Sequence, residues 1–345
     1  MADTAPPPAE IWTITVPDPV AGPERAKRFE AQGYDGICVV DSQCLSPDSF
    51  IGLALMGAAT TTLGLATGVT NPVTRHPSTL ATAALSLAAS AGDRVVLGIG
   101  RGDSSLFHIG QEPVKLGGFK TFVDQLAGYM RGEELEINGT PSRLRWTKHW
   151  NPPAVPLDIA ATGPKIIQYA ATVADMITFA VGANPERIKW GVDLARKART
   201  EAGLDPDTLR FGAYVQCAPH PDIDKSTELL RGTVGTFAHF SGMEGSTEDG
   251  QRPEDREQFE LLHENYERKK HTMATARHAQ ALDSDFIARF AAVGPPDACI
   301  EKLQAVIDAG ASRLVFTFPS RDTDEADRKL ADDLFVNEVM PALQS

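Results

Sequence analysis

Short apolar runs alternate with helix-length stretches along almost the whole chain, and this alternation constrains the fold more than any other feature. Residues 11–16, 36–40, 63–70, 94–100, 155–161, 176–181, 209–218 and 313–318 are apolar and bounded by polar or turn residues. Runs of this kind mark strands buried on both faces of a parallel sheet. Residues 23–31, 50–59, 77–91, 119–131, 164–174, 185–202, 223–240 and 324–343 carry helical spacing between and after them. Parallel neighbours need crossover helices. Eight such units favour a closed (β/α)8 TIM barrel, an α/β fold, over an open doubly wound sheet.

A length of 345 residues suits one barrel with insertions. The expected organisation is a single TIM-barrel domain over residues 1–345. Residues 1–10 are rich in Pro and Ala and read as a disordered tail. They have neither the basic start nor the apolar core of a signal peptide. Residues 134–153 and 241–285 interrupt the rhythm as insertions at the barrel rim. The first suggests a hairpin around Asn138-Gly139 and carries Arg143, Arg145 and Lys148. The second holds Glu254-Asp255-Arg256-Glu257 and Arg268-Lys269-Lys270-His271. Long excursions of this kind serve as lids or substrate loops; a solvated excursion or a subunit contact is the alternative.

The formal charge is -13. A polyanionic surface repels nucleic acid and anionic lipid, so neither is an expected partner. The four cysteines form no C-x-x-C pair, which fits a reducing cytoplasm. No apolar run reaches membrane-spanning length.

A barrel builds its site from the loops after its strands. Here those loops are polar and glycine-rich. Asp41-Ser42-Gln43 follow the second strand, and Gly68-Val69-Thr70-Asn71 lie at the end of the third. The run Gly98-Ile99-Gly100-Arg101-Gly102-Asp103 follows the fourth. It lacks the third glycine of a dinucleotide fingerprint, because Asp103 stands there, and the lysine of a Walker loop. It reads as a tight turn that lets a strand end approach a flat ligand. Thr162-Gly163-Pro164-Lys165 opens a helix: Thr162 is a candidate cap, and the first-turn amides attract anions. A plain cap is the alternative. Gly182-Ala183-Asn184-Pro185 supplies a second such turn, and the pair matches the phosphate site found late in barrels. No metal pattern stands out, since His263-Glu264 has no second histidine at zinc-site spacing. No G-x-S-x-G elbow is present.

The stretches Thr67-Gly68-Val69-Thr70-Asn71-Pro72-Val73-Thr74-Arg75-His76-Pro77, Leu97-Gly98-Ile99-Gly100-Arg101-Gly102-Asp103-Ser104 and Ala160-Ala161-Thr162-Gly163-Pro164-Lys165 resemble the luciferase-like monooxygenase family. They look closest to its coenzyme F420-dependent branch, the methylenetetrahydromethanopterin reductase-like proteins. Residues 293–318 resemble that family's closing helix and strand. The resemblance implies a barrel that binds F420, or FMN in the other branch. It also implies a non-proline cis peptide, here Gly68–Val69, behind the cofactor ring. By the same resemblance Asp41, Thr70, Asn71 and Asp103 line the ring and substrate side, and Thr162, Gly163, Gly182 and Ala183 hold the phosphate. Gly100, Val69, Pro164 and Lys165 complete the implied cofactor set. Arg101, with Arg143, Arg145 and Lys148, is a candidate for the acidic tail of F420; solvated surface charge is the alternative.

Relatives often carry a histidine where this chain has Ser42, so the proton role of that position passes to Asp41 or Asp103. The expected activity is hydride transfer between F420 and a small organic substrate. An FMN monooxygenase and a non-catalytic flavin or deazaflavin carrier are the alternatives. The family commonly forms dimers, so a homodimer is expected.

Overall fold

The computed structural model describes residues 8–242 and 253–345. Its eight long apolar runs are β1 (Glu10–Thr15), β2 (Gly36–Val39), β3 (Gly64–Thr67), β4 (Val95–Ile99), β5 (Leu157–Ala161), β6 (Met176–Phe179), β7 (Arg210–Pro219) and β8 (Arg313–Thr317). Each pairs in parallel with the next, and β8 pairs with β1, so the sheet closes on itself. The crossovers are α1 (Gly22–Gln32), α2 (Ser49–Ala59), α3 (Pro77–Ala91), α4 (Leu116–Met130), α5 (Pro164–Val173), α6 (Pro185–Glu201), α7 (Ile223–Ser241) and α8 (Pro296–Asp308), followed by α9 (Glu325–Leu334). The fold is a (β/α)8 TIM barrel.

Alternation along each strand sends one set of side chains to the helices and the other to the barrel axis. Trp12, Cys38, Ala66, Ala180, Tyr214 and Val315 form the axial cluster. At its lower end Trp12 fills space that Gly36 and Gly64 leave open. A Cβ at either glycine would stand within 2.6 Å of the indole. Against the indole, toward the strand starts, lies the guanidinium of Arg313, 4.0 Å from the ring centroid. Arg313 pairs with Glu10 at 2.8 Å and reaches Asp158 at 3.8 Å. Thr178 donates to Asp158 at 2.7 Å. Burial pushes the Asp158 carboxyl up from its ordinary range, and Arg313 opposes that push. The closed end of the barrel is therefore an ion network, and the ligand space lies at the other end.

The structure differs from the sequence reading at several places. Ala9 is buried and Glu10 opens β1, so both belong to the barrel and not to the tail. Strand β3 stops at Thr67, since the chain leaves the ladder at Gly68. A three-residue strand, Ala292–Gly294, pairs with the end of β7; it is too short to show a pattern. The closing helix is interrupted by a wider turn at Phe335–Val339. The first insertion is a hairpin of Leu135–Ile137 and Thr140–Ser142, with positive φ at Asn138 and Gly139 as its two-residue turn requires. The second insertion contains the helix Pro253–Asn265 and the short helices Arg277–Gln280 and Ser284–Phe290. Its residues 243–252 lie outside the described residues. Among the described residues no helix is long and apolar enough to cross a membrane.

Replacing Arg313 by Ala strips the partner from a buried carboxylate, and urea unfolding should show a loss of about 3–5 kcal/mol. Asp158→Asn should cost less, because Glu10 still pairs with Arg313.

Candidate functional site

Beyond Thr67 the chain is pinned between its neighbours. Gly68 N–H donates to the Val39 carbonyl at 2.8 Å, Thr70 N–H to Gly98 at 3.0 Å, and Gly100 N–H to Thr70 at 3.0 Å. The Gly68–Val69 peptide is cis. The approach is close enough to demand glycine. A Cβ at Gly68 would stand 2.6 Å from Cys38 Cβ, and one at Gly98 would stand 2.2 Å from the Thr67 carbonyl oxygen. The result is a short wall, carrying Val69, at the mouth of the barrel. Beneath it burial pushes the Cys38 thiol up to about 12, which leaves it unreactive.

This wall bounds a cavity of about 1470 Å³, which is ample for a tricyclic ring and a second molecule. Ile14, Val40, Val69, Ala160, Ala180 and Tyr214 make its floor. Asp41 sits at its edge, 4% exposed. Its oxygens accept from Thr70 Oγ1 at 2.6 Å, Arg75 at 2.5 Å and Gln43 Nε2 at 3.0 Å. Arg75 also bonds Asp48, the cap of α2, at 2.7 Å. Asp41 therefore ties the β2 and β3 loops together, and both of its oxygens are engaged. Asn71 Oδ1 accepts from the amides of Val73 and Thr74, which folds the β3 loop back on itself. Ser42, Gly100, Arg101 and Asp103 also line the cavity. Arg101 is tied down by its Nε donating to the Val114 carbonyl at 2.7 Å.

Across the mouth, Thr162, Gly163, Lys165 and Ile166 line the cavity at the start of α5. Gly163, not Thr162, takes the cap position, and no side chain caps this helix. The amides of Lys165 and Ile166 are left for water or an anion. Behind this loop lies Arg187, only 3% exposed. It donates to Ser241 Oγ at 2.7 Å and to the Thr162 carbonyl at 3.5 Å, all neutral acceptors. Burial pulls its pKa down to about 10. Among the described residues its hydrogen bonds go to neutral groups, and Asp255 is the charge that opposes the effect of burial; the guanidinium adds a positive field to an already positive helix end.

Three of the residues expected in the cofactor set do not face the cavity. Gly182 packs against Phe290, whose carbonyl accepts the Ala183 amide at 2.7 Å. Ala183 is fully buried. The end of the short helix Ser284–Phe290 thus covers this turn and takes up the amide that a phosphate would need. Pro164 sits at the first position of α5, without an N–H and off the cavity wall. The hairpin cations Arg143, Arg145 and Lys148 also lie away from the cavity. The cations that line it are Arg101, Lys115, Lys165, Arg268, Lys269, Arg321 and Arg328. Of these, Lys115 stands far in sequence from any strand end, and Arg268 and Lys269 come from the second insertion.

Residues 268–273 of the second insertion roof the cavity. The Arg268 guanidinium lies 5.1 Å from the Phe107 ring, across the mouth. Asp322 anchors the segment by accepting from the amides of Ala274 and Thr275. Gly232 of α7 admits it, since a Cβ there would stand 2.3 Å from the Met273 carbonyl carbon. An imidazole cluster holds the other side. His239 stacks on Tyr266 at 3.6 Å, Tyr266 bonds His271 at 3.0 Å, and His278 accepts the Glu267 amide at 3.2 Å. Burial pulls all three histidines down to about 4. Among the described residues no group of three His, Cys, Asp or Glu side chains is placed to hold a metal.

A family model described as luciferase-like monooxygenase matches residues 7–313. Over 330 residues the chain is 24% identical to a 5,10-methylenetetrahydromethanopterin reductase of Archaeoglobus fulgidus, spanning 92% of this chain and 94% of that one. The solved coenzyme F420-dependent tetrahydromethanopterin reductase of Methanopyrus kandleri superposes with a TM-score of 0.75 at 21% identity, covering 97% and 99% of the two chains. An F420-dependent secondary alcohol dehydrogenase, solved with an F420-acetone adduct, gives 0.74 at 20% identity, covering 98% and 100%.

The roof generates a pH prediction. An unfolded segment binds protons as pH falls through 6.5, whereas the packed histidines stay neutral to about 4. The packing is thus fully stable above 6.5 and loses stability as pH falls toward 4. Hydrogen-exchange protection of residues 266–280 should be level above pH 7 and decline below 6.5. A level profile down to pH 4 contradicts this account of the roof.

Proposed function

The chain belongs to the luciferase-like monooxygenase family, and on that premise we propose that it is an F420-dependent oxidoreductase that passes a hydride between the deazaflavin and a small organic substrate. When bound, F420 supplies or accepts the hydride. The observation that carries the reading is the pairing, at one mouth, of the Val69 wall with the uncapped start of α5. The wall suits a flat ring, and the helix start suits a phosphate. The residues of this chain fit both parts of the ligand.

Val69, with Gly68 behind it, backs the ring, and Thr70, Asn71 and Gly100 border it. The amides of Lys165 and Ile166, the Lys165 ammonium and the buried Arg187 hold the phosphate. Arg101 and Lys115 lie on the way to solvent and meet the acidic tail. Asp41 holds the β2 and β3 loops in register through Thr70 and Arg75. Asp103 and Ser42, at the cavity edge, are the groups placed to exchange a proton with the substrate. The roof excludes water from the reacting atoms.

The protein acts in a reducing cytoplasm, in keeping with four free cysteines. We propose a homodimer built on α2. That helix is apolar on its outer face as well, with Ile51 59% and Leu55 39% exposed beside Ala54 and Ala58. A helix apolar all round is buried against something.

Two measurements test these readings. Fluorescence titration should show F420 binding more tightly than FMN, the ligand of the monooxygenase alternative. Arg187→Met should weaken F420 about 10-fold, yet leave unchanged the affinity for the deazaflavin riboside that lacks phosphate and tail. Tighter binding of FMN contradicts the cofactor assignment. For the assembly, native mass spectrometry should show a dimer that the double variant Ile51→Asp, Leu55→Asp converts to monomer.

A further inference from the structure

The cavity floor is largely apolar, with the phenol of Tyr214 and, beside it, the hydroxyl of Thr317. Ile14, Val40, Val69, Ala160 and Ala180 offer only carbon, while Tyr214 brings a phenol to the barrel axis from β7. In a closed ring of eight strands β7 stands directly opposite β3, the strand that carries the Val69 wall. Tyr214 is 5% exposed, and its ring packs on Phe237 at 5.9 Å.

Buried tyrosines normally find a partner for the hydroxyl. Two in this chain do: Tyr129 bonds Ser142 Oγ at 2.7 Å, and Tyr169 bonds Asp124 at 2.7 Å and the Lys120 carbonyl at 3.0 Å. Tyr214 has none among the described residues, and its hydroxyl is not sealed in the core. A donor at the bottom of an oily cavity, opposite the wall assigned to the ring, is positioned for a ligand atom.

We propose that the Tyr214 hydroxyl donates a hydrogen bond to the oxygen of an apolar carbonyl compound, or of the matching secondary alcohol, held between the ring and β7. This rests on the F420 reading above and names the substrate class and a catalytic residue for it. In the reducing direction the carbonyl carbon gains a hydride from reduced F420, the C=O π pair moves onto oxygen, and that oxygen takes a proton passed in from Asp103 or Ser42 at the cavity edge. F420 leaves the step oxidised. Tyr214 stays a neutral donor throughout. Burial raises its pKa well above that of an ordinary phenol, which keeps the proton on it. The bond strengthens as charge gathers on the oxygen, so the donor acts more on the transition state than on the bound ketone. The apolar floor around it selects alkyl or aryl substituents.

The test compares wild type with Tyr214→Phe, using reduced F420 and two probe ketones, acetone and cyclohexanone. F420 affinity is measured first by fluorescence. The inference expects wild type to reduce at least one ketone. It expects Tyr214→Phe to lose about 100-fold in kcat/KM, mainly in kcat, with F420 affinity and melting temperature unchanged. Four results overturn it: kcat/KM within about twofold of wild type; a loss of F420 affinity that accounts for the rate loss; a drop in Tm of more than about 5 °C, which reveals a protein partner for the hydroxyl; or a wild-type enzyme that binds F420 and reduces neither ketone. A wild type that does not bind F420 overturns the proposed function itself, and is seen before any ketone is added.

Discussion

Where β2, β3 and β4 end, their backbones run so close together that a Cβ at Gly98 would stand 2.2 Å from the Thr67 carbonyl oxygen. Three glycines, Gly68, Gly98 and Gly100, are what permit that approach. Their absence of side chains lets the β3 chain leave the ladder, turn over Cys38 and present Val69 to the mouth. Everything proposed for the site depends on this crowding. It places the flat wall, it sets the distance to β7 across the axis, and it brings Thr70 within 2.6 Å of Asp41. Asp41 in turn draws in Arg75 and the cap of α2. Thus one close backbone contact organises the whole of that side of the cavity.

The opposite side is organised by charge. The chain carries -13 overall, yet among the described residues its cavity is lined by seven Lys and Arg side chains against Asp18, Asp41, Asp103 and Asp332. An acidic body with a basic mouth steers small anions to one place while repelling large polyanions. Arg187 adds to this from within. Holding a guanidinium on neutral acceptors costs stability, and such a cost is typical of groups kept for binding rather than for folding.

Much of the architecture was legible in the sequence because buried parallel strands advertise themselves as apolar runs. All eight barrel strands were located, with ends displaced by a few residues at most. The ends were less clear because ladder pairing, not hydrophobicity, decides where a strand stops. Residues 68–70 read as a continuation of β3, yet the strand stops at Thr67 and Thr70 keeps only an isolated bridge to Ile99. The site was legible in the loops that directly follow strands, such as Asp41-Ser42 and Gly100-Arg101. It was hidden where the cavity is completed by distant chain. Nothing near Gly182 announces that the Phe290 carbonyl, over a hundred residues later, takes the Ala183 amide. Arg268 belongs to an insertion that reads as a lid or as a solvated excursion, and Lys115 to no motif, until the fold brings both to the cavity. Tyr214 lies within a strand and reads as ordinary core; only its unpartnered hydroxyl distinguishes it. The cations Arg143, Arg145 and Lys148 cluster in sequence but do not line the cavity, which favours the alternative of solvated surface charge.

The most direct measurement is a crystal structure of the protein with F420 bound. The account predicts the deazaflavin ring lying against Val69, its phosphate at the amides of Lys165 and Ile166, and open space between the ring and Tyr214. A ring bound elsewhere in the cavity, or a phosphate on the hairpin cations with the start of α5 empty, would contradict it.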